Sequence, residues 1–122
     1  MTSQDGVSEQ SDALREHLSR SRVLVIFASE RDDSRIAEQK RIISRMGSGA
    51  NERDIAVREI VGAAAEAEAM RRKLGAPESG FQAVLVGKDG GAKLQSPQPL
   101  TADKLEATID AMPMRRREMQ ER

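Results

Sequence analysis

The residues predict an α/β domain with a four-stranded mixed sheet, and three observations carry that expectation. Val23–Ala28 (VLVIFA) is an unbroken apolar run, half of it β-branched, as in a strand covered on both faces. Helix-period segments follow it and separate it from two further strand-like runs. The last of these is joined to a short fourth run by Lys88-Asp89-Gly90-Gly91, and Asp-Gly between apolar runs is a hairpin signal.

In chain order, residues 1–10 are polar and expected to be a flexible terminus. Ser11 or Asp12 can cap a short helix carrying Leu14 and Leu18 at i, i+4, a spacing that docks both on one face. Val23–Ala28 is the central strand, expected to run parallel to a neighbour. The polar loop Ser29–Ser34 (SERDDS) offers Asp33 or Asp32 as N-cap for a helix with Ile36, Ile43 and Met46 on its buried side. Gly47–Asn51 (GSGAN) is expected to stop that helix and form a loose connection. Asp54–Val61 (DIAVREIV) follows as a strand, and its internal Arg58 and Glu59 place it at a sheet edge, where charge discourages pairing with other chains.

Gly62–Gly75 is alanine-rich, carries Met70 and Leu74 on one side, and reads as a helix ended by Gly75 and Pro77. Phe81–Gly87 (FQAVLVG) and Ala92–Gln95 (AKLQ) are the two hairpin strands. Thr101 caps a last helix bearing Leu105, Ile109 and Met112, with Leu100 and Leu105 spaced as a hydrophobic staple. Pro113 breaks or restarts it ahead of a basic segment, residues 113–122, so the domain proper is expected over 11–112. A strand–helix–strand unit, a helix, a hairpin and a closing helix, preceded by one extra N-terminal helix, is the thioredoxin-like arrangement. A doubly wound sheet would need a helix where the Lys88–Gly91 turn lies.

Composition narrows the chemistry. The 122 residues hold 20 basic and 20 acidic side chains, 33% charged against 38% apolar, with no cysteine and only Phe27 and Phe81 as aromatics. A globule of this size buries roughly two thirds of its unfolded surface, enough for a core without disulfides or a structural metal. Zero net charge gives no footprint for nucleic acid or an anionic membrane. Thiol nucleophiles, iron–sulfur clusters and thiolate zinc sites are excluded, and with His17 the single imidazole, so is a multi-histidine centre. No metal site and no cofactor are expected. The start, MTSQDGV, lacks a signal-peptide pattern, and no apolar run approaches the roughly 20 residues of a spanning helix. A cytoplasmic chain is expected.

Two surfaces stand out as candidates. The first is Ser29, Arg31, Asp32, Asp33, Ser34 and Arg35, where a strand end meets a helix N-terminus, the usual ligand position in open α/β sheets. Backbone N–H groups there attract anions, but Asp32 and Asp33 would occupy them as caps, and capping is the favoured reading. Glu30, Asp32 and Asp33 lack the spacing of a calcium loop. The second surface is Met112–Arg117, where Met114, Arg115 and Arg116 stand in the only basic cluster. The final ten residues hold four arginines against two glutamates and no aromatic platform, so a protein contact is expected there and nucleic acid is not.

VLVIFA followed by the Asp-Asp loop, Gln39 in the next helix, VLVGKDGGAKL and IDAMPMRRREM together resemble a bacterial domain-of-unknown-function family. It is grouped with the DUDES-type thioredoxin-like domains, which recur in extracellular-matrix proteins such as equarin and in sushi-repeat proteins. The resemblance runs from about Leu18 to Met119, and Gly87–Gly91 (GKDGG) and Met112–Arg115 (MPMR) are its most specific pieces. It implies a thioredoxin-like fold and, for the wider group, peroxiredoxin-like or thiol–disulfide activity. This chain departs at the decisive positions. The paired-cysteine position holds SERDDS, and the cis-proline of thioredoxins is replaced by Phe81 or Gln82. Without sulfur there is no attacking thiolate, so redox catalysis does not carry over. Many relatives look secreted; this chain does not. The expected function is a cysteine-free interaction module with a protein partner or self-association. The alternative is small-anion binding, or a non-thiol enzyme, at the helix N-terminus after the first strand.

Overall fold

Seven consecutive buried residues, Arg22–Ala28, form β1 at the centre of the computed structural model, which describes residues 20–121. Around it stand β2 (Ile55–Val61), β3 (Gln82–Val86) and β4 (Ala92–Ser96), in the order β2-β1-β3-β4. β1 is parallel to β2 and antiparallel to β3, and β3 is antiparallel to β4. The described residues thus form a mixed α/β structure with one four-stranded mixed sheet and five helices. The expected N-terminal helix and His17 lie outside the described residues.

Alternation along β1 assigns the two faces. Val23, Val25 and Phe27 pack with Met70 and Leu74 of α3 (Ala65–Leu74). Leu24, Ile26 and Ala28 pack with Ile36 of α1 (Ser34–Met46) and with Leu105 and Ile109 of α4 (Ala102–Asp110). A strand sandwiched this way cannot alternate polar and apolar residues, which is why its sequence is continuously apolar.

Asp33 is the N-cap of α1; its carboxylate accepts the Arg35 N–H at 3.0 Å. Gly47, at φ 54°, ends the helix. The segment after it corrects one expectation: Ser48–Glu52 is a short helix, α2, and not a loose connection. Two of its residues, Gly49 and Ala50, are small where the turn meets its neighbours. A Cβ at Gly49 would lie 3.3 Å from the Glu106 carboxylate, and Ala50 is buried. Asp54 then takes a left-handed φ of 55°, a conformation that aspartate tolerates better than most residues. It sends its carbonyl to the Arg22 N–H (2.7 Å) and its carboxylate to Lys88 (2.8 Å).

β2 is an edge strand, as Arg58 and Glu59 foretold. α3 is shorter than its alanine-rich stretch, starting at Ala65, and ends at a left-handed Gly75. Between β3 and β4 the chain reverses tightly: Gly90 N–H donates to Gly87 O and Gly87 N–H to Gly91 O, both at 2.9 Å. Thr101 caps α4 through the Lys104 N–H, with Leu100 and Leu105 both buried, as the staple spacing requires. Pro113 opens a separate last helix, α5 (Pro113–Gln120). No described helix is long and apolar enough to cross a membrane.

Candidate functional site

The loop after β1 is built inward. The Ser29 hydroxyl accepts the Gly80 N–H at 2.7 Å, tying this loop to the segment before β3. Arg35 folds back over Asp33 in a fork, Nε to Oδ1 at 2.9 Å and Nη2 to Oδ2 at 2.7 Å, with its guanidinium 5.1 Å from the centre of Phe81. The Arg35 side-chain bonds, then its backbone N–H, hold the Asp33 carboxyl below the usual carboxylate range. A charged carboxylate therefore sits on the α1 N-terminus, where an external anion would have to bind. Arg31, Asp32 and Ser34 are exposed, along a surface groove of about 700 Å3 that Arg41 and Glu59 also line. Among the described residues no acidic group converges into a metal-holding set.

Behind this loop lies a residue that the sequence reading missed. Arg71 is buried, donates to Pro77 O and Gly80 O at 2.8 Å each, and stacks 5.0 Å from the centre of Phe27. Burial pushes its guanidinium below the ordinary arginine value. Two carbonyl dipoles and a ring face take the place of a carboxylate partner. Arg71 holds the Pro77–Gly80 segment against the first loop. Its position was legible in the spacing: Ala67, Met70, Arg71 and Leu74 recur at i, i+3, i+4 and i+7, so the arginine stands in the buried stripe.

The second surface is organised differently from the expectation of a basic tail. Arg115 is not a free contact residue; it is 3% exposed. Its Nε donates to Asp110 at 3.1 Å and its Nη1 to Glu52 O at 2.9 Å, so it staples α5 to α4 and α2. Asp110 also accepts two bonds from Arg53, at 3.0 and 2.9 Å. Arg53, with the further bond from Arg115, holds the Asp110 carboxyl below its ordinary range. Glu118, one turn on, accepts from the fully buried Arg22 at 3.3 and 3.2 Å and from Lys88 at 2.7 Å. Burial pushes Glu118 up, but the bonds from Lys88 and Arg22 outweigh it and hold the group below its usual value. Burial likewise lowers Lys88, and its bonds to Asp54 and Glu118 more than reverse this, leaving it raised. Met114 and Arg116 remain outward, Met114 at 36% exposure.

Beside this charged floor is a cavity of about 320 Å3 between the β3–β4 turn and the α4–α5 junction. Gly87, Lys88, Asp89 and Lys93 line one side; Thr108, Met112, Pro113 and Met114 line the other, with Arg22 at the base. The fold thus brings GKDGG and MPMR, the two most distinctive segments of the sequence, onto one concavity. A Cβ at Gly87 would stand 2.8 Å from Lys93 Cε, so a larger residue there would push the lysine side chain aside.

One end of β1 therefore carries a self-capped loop and the other a charged, methionine-walled cavity, in a mixed α/β domain whose described residues contain no thiol. The chain belongs to the domain of unknown function family DUF4174, which matches residues 13–118. No curated protein and no solved structure matches the chain.

Proposed function

We propose that this chain is a binding module without redox activity, built on a thioredoxin-like arrangement and acting by contact with a protein or peptide partner. The element order and the β2-β1-β3-β4 sheet support the thioredoxin-like reading. One observation carries the functional part. The loop after β1, where a thioredoxin-like redox protein carries its thiols, holds the Asp33–Arg35 fork, and the chain has no cysteine elsewhere. The same fork fills the α1 N-terminus, which argues against an anion site there. Met114, which also lines the cavity, and Arg116 are exposed on α5 and are the contact residues of this reading.

The test has two arms. The pure protein is expected to leave insulin disulfides and hydrogen peroxide unchanged over hours; turnover of either overturns the proposal. Cross-linking in cells is expected to give a specific adduct that Met114→Glu and Arg116→Glu abolish, with both variants folded by circular dichroism. An adduct pattern identical in wild type and both variants counts against this contact surface.

A further inference from the structure

We infer that the cavity between the β3–β4 turn and the α4–α5 junction is occupied by the chain's own residues 14–18, with Leu18 seated against the methionine wall, so that this segment covers Met114 until a partner displaces it. The displacement rests on the binding-module reading; the occupancy does not. The wall calls for an apolar occupant. Ala111, Met112, Pro113 and Met114 form one side of the cavity, three of them exposed and Met112 half-buried. Apolar surface of this kind gains by removal from water, and methionine adapts its shape to what it touches. An apolar cavity of about 150 Å3 holds benzene; this one is about 320 Å3, so a leucine side chain fits.

Chain connection selects which apolar group arrives. The fully buried Arg22 lines the cavity and opens β1, so the chain ahead of it starts from the cavity base. Leu18 stands four residues before Arg22. Even fully extended, that stretch keeps the two Cα atoms within about 14 Å. A short tether gives its end an effective concentration on the order of millimolar, and any partner in trans has to compete with it. Leu14 precedes Leu18 at i, i+4, so the two share one side of a helical turn. The DUF4174 match begins at residue 13, so both leucines fall within the family domain. Charge favours the same chain over a second copy. Residues 1–19 hold Asp5, Glu9, Asp12 and Glu16 against Arg15, an excess of three negative charges, and residues 20–122 carry the opposite excess of three. The segment is drawn to the rest of its own chain, whereas the same region of a second copy brings like charge to like.

The experiment is nuclear magnetic resonance on the full chain labelled with 13C and 15N. The Leu18 methyl protons are expected to show nuclear Overhauser contacts with the methyl protons of Met112 or Met114. Leu18→Glu should shift the amides of residues 87–91 and 108–114, and Val7→Glu, which lies outside the family match, should leave them in place. Freed of its cover, the Leu18→Glu chain should give the cellular cross-linked adduct several-fold more strongly than wild type. Absence of the methyl contacts overturns the inference, and this wild-type measurement decides the matter even if Leu18→Glu fails to fold. Shifts confined to other residues in a folded Leu18→Glu overturn it as well. Contacts seen only between labelled and unlabelled molecules in a mixed sample overturn it in favour of a second copy. An adduct of unchanged strength overturns the displacement. Missing methyl contacts alone leave the binding module standing, since Met114→Glu and Arg116→Glu test it separately, whereas disulfide turnover would remove that module whatever Leu18 touches.

Discussion

Gln39 is fully buried in α1, and its amide does the work of a backbone strand: Nε2 donates to Leu100 O at 3.0 Å and Oε1 accepts the Leu100 N–H at 2.7 Å. The loop entering α4 has no ladder partner at that point, so this one side chain satisfies both of its buried groups. Replacing it with leucine keeps the volume and orphans both. At about 1–3 kcal/mol per unsatisfied buried group, Gln39→Leu should lower stability by an amount easily read as a shift in urea midpoint. A midpoint within error of wild type would show that water reaches Leu100. Asp33 and Arg71 follow the same logic, Asp33 spending its charge on the Arg35 guanidinium and backbone N–H, Arg71 on two backbone carbonyls.

α5 is attached by charge. Its one buried residue is Arg115, and its bonds to the rest of the protein run through Arg115 and Glu118 to Asp110, Glu52, Arg22 and Lys88. Met114 and Met119 are exposed, so little apolar surface holds the helix down. Acid should therefore release it early. Glu118 and Asp110 have depressed values in the fold, so their contribution is present above the unfolded carboxylate range, about pH 4, and is lost as pH falls through the folded values. Lys88 is raised, so its contribution is present below about pH 10.4 and lost only as pH rises through its folded value. The bonds from Arg53 to Asp110 raise that guanidinium further, so Arg53 keeps its charge throughout. Hydrogen exchange corrected for intrinsic rate should show residues 113–120 deprotecting at pH 3 before β1 does. Glu118→Gln should deprotect them already at pH 6. Breaking a fully buried pair costs about 3–5 kcal/mol; Glu118 is 24% exposed, so the loss should be smaller. Deprotection of α5 only together with β1 would mean that packing, not charge, holds it.

At the scale of the molecule, both apolar clusters share β1, so neither face can lose its packing without disturbing the other. Urea unfolding should be a single transition, with coincident midpoints by far-ultraviolet circular dichroism and by methyl resonances of Val25 and Leu105. Fluorescence is of no use, since the chain has neither tryptophan nor tyrosine. Separate midpoints would show two independent layers. The sheet itself was legible in the residues. VLVIFA announced a doubly covered strand, Arg58 and Glu59 an edge, and Asp89-Gly90 a reversal, because each of these depends on neighbours close in the chain. The Asp33 cap was legible for the same reason. The α2 helix was not, since GSGAN is a poor helix former locally and is held by the bond from Arg53 to the Gly49 carbonyl. Nor was Arg115 legible as a buried residue: a run of three arginines looks solvated until Asp110 and the Glu52 carbonyl are brought beside the first of them. By itself, then, the sequence determined the strands, caps and turns and ruled out thiol chemistry, all of which are properties of a residue and its near neighbours. Only the tertiary structure decided which charges are buried as partners, and that GKDGG and MPMR wall one cavity, because apart from Arg115–Asp110 those pairings join residues more than 20 positions apart.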